Sequence, residues 1–101
     1  MLVFAEKIGN TVQLTFASIL TTAISNTQIV SAGGSLPSVF CPNTNQVILP
    51  VIVTNNSVQV NGYVYVYTNG SIAFTPFSGG FTPSGFAGWE KQSISYSTAA
   101  L

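Results

Sequence analysis

The run Tyr63-Val64-Tyr65-Val66-Tyr67, followed by Asn69-Gly70 and then Ser71-Ile72-Ala73-Phe74, constrains this chain more than any other feature. Strict alternation sends neighbouring side chains to opposite faces of an extended strand. Two such runs around Asn-Gly are the strongest short-range hairpin signal a sequence can carry. A chain with this at its centre is built around antiparallel strands. Thr11 to Phe16 repeats the pattern, with Val12, Leu14 and Phe16 on one face and Thr11, Gln13 and Thr15 on the other. Thr, Ser, Val, Asn and aromatic residues dominate and helix formers are scarce, which favours strands throughout. At 101 residues the chain fits a single domain, residues 1–101, able to bury a modest core.

The remaining elements follow from turn chemistry. Ala17 to Ser25 fits a strand or a helical face equally well. Gln28 to Ser31 reads as a short strand, broken by Ala32-Gly33-Gly34. Pro37 and Pro42, with Asn43-Thr44-Asn45, make a loop. Val47 to Thr54 is a strand that Pro50 restricts to an edge or a bulge, because Pro cannot donate to a ladder. Asn55-Asn56 is a turn, Ser57 to Val60 continues as strand, and Asn61-Gly62 is a second turn or a bulge. Pro76 to Gly88 is a Gly/Pro/Ser-rich loop carrying Phe77, Phe81 and Phe86, and Ser93 to Tyr96 is the last strand. The expected fold class is all-β, a small antiparallel sandwich, jelly-roll-like, or a barrel.

Charge removes whole classes of function. The chain has two lysines, two glutamates and no Asp, Arg or His, so 4% of its residues are charged against about 25% in an average domain. No basic patch exists to neutralise phosphates, which excludes electrostatic nucleic-acid binding. Without His, and with Cys41 alone, neither an imidazole nor a paired-thiolate metal site can be built, and no cofactor is implied. A His-based catalytic triad is equally out of reach. Glu6 and Glu90 are the only carboxylates, and each adjoins a lysine, which works against the raised pKa a glycosidase acid needs. The expectation is a protein that is not an enzyme. Cys41 reads as a small buried hydrophobe. The apolar run Val47 to Val53 is too short for a membrane span, and Met1 to Phe4 does not form a signal peptide. Meanwhile 47% of residues are hydrophobic, and so few charges cannot cover a monomer's surface. The chain is expected to be part of an assembly.

The order of the elements resembles the small C-terminal tip or head domains of phage tail fibres and related virion receptor-binding proteins. The residues that carry the resemblance are Lys7-Ile8-Gly9-Asn10-Thr11-Val12-Gln13-Leu14, Leu36-Pro37, Pro42, Leu49-Pro50-Val51, Val66-Tyr67-Thr68-Asn69-Gly70-Ser71-Ile72, Gly85-Phe86-Ala87-Gly88-Trp89 and Ser93-Ile94-Ser95-Tyr96. The resemblance implies a homotrimeric β-sandwich head in the virion, in contact with other virion proteins and adhering to a host-surface glycan or protein receptor. It equally admits a capsid decoration or head fibre without receptor binding. No fibre shaft precedes Lys7, so the chain is expected to be either a tip or a small stand-alone virion protein.

Four residues are candidates for ligand contact. Tyr63, Tyr65 and Tyr67 share one face of one strand, where stiff amphipathic rings suit a subunit interface, a core or a sugar platform. Trp89 stands at the exit of the Gly-rich loop, where an indole could stack on a sugar face, or else close the core. The phenylalanines of that loop are expected to fold back onto the sheet.

Overall fold

The computed structural model describes residues 3–22, 29–30, 36–77, 80–81 and 85–98. Among these it contains strands β1 (Val3–Ile8), β2 (Thr11–Phe16), β3 (Ile19–Thr22), β4 (Ile29–Val30), β5 (Val47–Asn55), β6 (Val58–Val66), β7 (Ile72–Pro76), β8 (Phe86–Trp89) and β9 (Gln92–Ser97). A single 3-10 turn, Ser38–Phe40, is the only helical piece among them. Every pairing is antiparallel. The strands form a three-stranded sheet in the order β1-β2-β9 and a six-stranded sheet in the order β3-β8-β5-β6-β7-β4. The all-β, two-sheet architecture expected from the alternation is met.

The core lies between the sheets. Val12, Leu14 and Phe16 of β2 and Ile94 and Tyr96 of β9 come from one side. Val51 and Val53 of β5, Val64 and Val66 of β6, Ile72 and Phe74 of β7, and Ala87 and Trp89 of β8 come from the other. An aromatic stack ties the layers together. Phe74 lies parallel to Trp89 with ring centroids 3.8 Å apart, and Phe16 meets Phe74 edge-on at 5.0 Å. Edge-to-face packing of this kind adds roughly 0.5–1.5 kcal/mol beyond burial. Cys41 is buried as expected, its thiol against the Leu36 and Pro37 carbonyls. The Tyr96 hydroxyl donates to the Phe40 carbonyl at 2.6 Å, anchoring the Pro37–Pro42 loop to β9.

The central hairpin forms as the sequence predicts. Gly70 N–H bonds to the Tyr67 carbonyl at 3.0 Å and Tyr67 N–H to the Ser71 carbonyl at 2.9 Å. Gly70 takes φ +90°, and the Asn69 side chain accepts from Ser71 N–H. This is a turn with a glycine bulge, the residue that must tolerate positive φ. The preceding turn centres on Asn56 and Ser57, with φ of +51° and +63°, one residue later than Asn55-Asn56.

Three expectations are corrected. Asn61-Gly62 is neither turn nor bulge: it lies inside β6, which runs unbroken from Val58 to Val66. Glycine stands there because a Cβ would meet the Thr75 carbonyl at 2.5 Å and Val53 Cγ2 at 3.0 Å. The Pro76–Gly88 loop is shorter than expected, since β7 takes Pro76 and β8 takes Phe86 to Gly88. The phenylalanines diverge: Phe81 is buried, whereas Phe77 and Phe86 stay 68% and 45% exposed. Pro50 behaves as expected, because β5 is paired on one side only at that point, with β8 reaching it only at Thr54. The Ala32-Gly33-Gly34 break and the end of the Ala17–Ser25 stretch lie outside the described residues.

Candidate functional site

Two places could meet a partner, and both lie on the outward face of the six-stranded sheet. The first is a broad aromatic face. Val64 and Val66 are fully buried, so Tyr63 and Tyr65 on the same strand turn outward, and they and Tyr67 just beyond its end are half-buried. Tyr65 and Tyr67 stack with centroids 6.1 Å apart, and Tyr63 leans on Phe77 at 5.8 Å. Register extends the face across neighbouring strands. Ile48 sits opposite Tyr65, Pro50 opposite Tyr63, and Ile52 opposite Asn61. Ile48 and Ile52 are each nearly half exposed. A groove of about 460 Å³ runs between Pro50, Ile52, Tyr63, Phe77 and Gln92. No lysine or glutamate lies on β5, β6 or β7.

The second place is a cleft of about 430 Å³ where β3, β8, β5 and β6 come together. Leu20, Phe86 and Trp89 give it apolar walls, and Thr54, Ser57, Gln59 and Glu90 give it polar ones. Its layout follows from one glycine. Gly88 pairs with Leu20 on one side and Thr54 on the other, so no side chain stands between these two lining residues. Gly88 has φ +151°, and a Cβ there would collide with the Ile19 carbonyl. Phe86 is held from both ends, its N–H donating to the Ser57 hydroxyl at 3.0 Å and its carbonyl accepting from Ser57 N–H at 3.0 Å. The ring therefore projects from a fixed backbone.

Of the two roles the sequence leaves open for Trp89, closing the core is the one it takes. It belongs to β8 rather than to a loop, and it is 2% exposed. Its ring is stacked on Phe74, and Nε1 donates to the Ala17 carbonyl at 3.1 Å. The parity of β8 is the cause: Ala87 and Trp89 face inward, Phe86 outward. The indole contributes an edge to the cleft but cannot offer its face to a sugar. Phe86, expected to fold onto the sheet, is the aromatic that reaches solvent beside it. Glu6 lies on β1 and Glu90 in the connection between β8 and β9, so the two carboxylates share no strand.

Gln92 was also not singled out by sequence. Its side-chain amide receives Ile52 N–H at 3.1 Å and donates to the Ile52 carbonyl at 2.8 Å, as a peptide group would in a ladder. It thereby links β9 of one sheet to β5 of the other. The only signal available beforehand was its place at the head of the final strand.

No model of a known protein family matches this chain, and no curated protein matches it.

Proposed function

We propose that this protein is a non-enzymatic structural protein of a virion, a homotrimeric fibre tip or receptor-binding domain that adheres to a host-surface saccharide. The observation that carries the reading is the charge-free aromatic face of the six-stranded sheet. Subunit interfaces are enriched in Tyr and Phe and depleted in Lys and Glu, and this face has that composition. Apolar patches of such breadth on a soluble domain mark contact sites. The resemblance of the strand and turn order to fibre tips supplies the setting, the virion, and the symmetry, three copies about an axis. In this arrangement Tyr63, Tyr65 and Tyr67 are interface residues first, and the host-binding surface lies beside them.

Static light scattering tests the assembly. The expected result is a particle of three times the 10.6 kDa chain mass at micromolar protein. A single-chain mass overturns the trimer. Binding of the purified protein to host cells and to immobilised glycans separates an adhesin from a capsid decoration, which would assemble and bind neither.

A further inference from the structure

We propose that the cleft between Leu20, Phe86, Thr54, Gln59 and Glu90 is a saccharide-binding site selective for neutral rather than acidic sugars. This rests on the adhesive reading above and names the site and the ligand class. The cleft has the two-sided character that a sugar ring requires. Phe86 and Leu20, 45% and 61% exposed, form an apolar wall against which the C–H face of a pyranose can lie. Facing it are an amide at Gln59, hydroxyls at Thr54 and Ser57, and the Glu90 carboxylate, which can receive and return hydrogen bonds from ring hydroxyls. Pockets that bind small ligands combine this kind of apolar lining with a few convergent polar groups.

The charge of the cleft decides between sugars. Among the described residues, Glu90 is the only charged one that lines it, and no lysine does. A carboxylate accepts hydrogen bonds from neutral hydroxyls but repels a sialic acid, a uronate or a phosphorylated sugar. Recognition of such acidic groups relies on Arg or Lys, and the chain has no Arg. The backbone supporting the wall is preorganised, since both main-chain polar groups of Phe86 are bonded to Ser57. Rigid presentation of this sort lowers the ordering cost of binding. Along β5, Thr54 at the cleft lies six residues from Ile48 at the aromatic face, about 20 Å at the rise of an extended strand. A ligand can therefore occupy the cleft while that part of the aromatic face is covered by a second chain.

The test is titration of the intact protein against neutral hexose oligosaccharides and against sialylated and uronate-containing ones. The neutral ligands should bind and the acidic ones should not. Phe86→Ala should weaken neutral binding by roughly tenfold or more, as loss of a stacking aromatic does. Gln59→Ala, at an exposed position, is the second variant, and thermal melting of both checks that the fold is intact. Glu90→Gln should relax discrimination and admit acidic sugars. Neutral binding that survives both Phe86→Ala and Gln59→Ala unchanged overturns the cleft and leaves saccharide adhesion standing. A preference of the unaltered protein for acidic sugars overturns the selectivity. Absence of any saccharide binding overturns the cleft and saccharide adhesion together.

Discussion

The two sheets turn similar faces inward and dissimilar faces outward. Inside, Val12, Leu14 and Phe16 meet Val64, Val66 and Phe74. Outside the three-stranded sheet, β2 and β9 present Thr11, Gln13 and Thr15 opposite Ser97, Ser95 and Ser93 in register. The Thr15 and Ser93 hydroxyls are 2.9 Å apart, a cross-strand hydrogen bond on the surface. Outside the six-stranded sheet the corresponding rows read Ile48 with Tyr65, Pro50 with Tyr63, and Ile52 with Asn61. Among these strands only β1, at the edge of the three-stranded sheet, carries charge, with Glu6 outward opposite Gln13. The β2–β9 part of the first carries hydroxyls and an amide that water can satisfy, with Phe4 and Ile8 exposed only along its β1 edge; the second carries rings and aliphatic side chains across its central strands, which water wets poorly. The inward half of a strand's alternation thus identifies the sheet, while the outward half indicates what the sheet meets.

Substitutions can break this comparison. The largest effect lies in the layer both sheets share. Trp89→Ala removes the indole stacked on Phe74 and should cost about 3–5 kcal/mol, enough to unfold a marginal domain. Loss of the cooperative melting transition is the readout, and near-native melting would return Trp89 to the surface. A smaller and more specific effect separates the outer faces. Tyr65→Lys puts a charge into the aromatic face and should reduce the scattering mass to one chain while the domain stays folded. Gln13→Lys, at the matching position on the hydroxyl face, should leave the mass unchanged. Equal behaviour of the two variants would erase the distinction.

The mildest effect is titration. Tyr96, unlike the outward tyrosines, is buried. Burial pushes its phenol well above the ordinary value, and Cys41 beside it adds to the shift. Burial raises the Cys41 thiol as well. A folded state that holds these protons more tightly than the unfolded chain is fully stabilised below the unfolded pKa values, about 8.5 for Cys and 10 for Tyr. That stability is lost as pH rises past them toward the raised values. Melting temperature should therefore decline from about pH 9 upward, and Tyr96→Phe should flatten the decline above about pH 10. A flat alkaline profile in the unaltered protein would show that Tyr96 is not held in the core.

Much of this was legible in the sequence, and what was not has a physical cause. Period-two alternation located β2 and β6 and assigned their faces, because both strands are half-buried and the pattern repeats over several residues. Asn-Gly located the β6–β7 turn. Gly62 misled because a glycine chosen for close packing looks the same in sequence as one chosen for a turn. Trp89 stayed open between core and surface and Phe86 was misassigned because β8 has only four residues, Phe86–Trp89, too few to show parity, and the two between the aromatics are small. A one-residue change of parity exchanges which aromatic is buried. The cleft was invisible because its lining comes from four strands whose adjacency depends on the sheet order β3-β8-β5-β6.

The strand order β1-β2-β9 also governs when the chain can fold. Val12 pairs with Tyr96, and Thr98 N–H reaches back to the Asn10 carbonyl at 2.7 Å. The β5–β6–β7 meander closes through short turns and can form early, on the microsecond scale typical of hairpins. The three-stranded sheet must wait until β9 emerges from the ribosome, about eighty residues after β2, since β9 completes it. During that interval the meander's inner face lacks the Ile94 and Tyr96 side chains of β9, and its outer face is apolar as well. Such a two-sided sheet is at its most adhesive before β9 is in place.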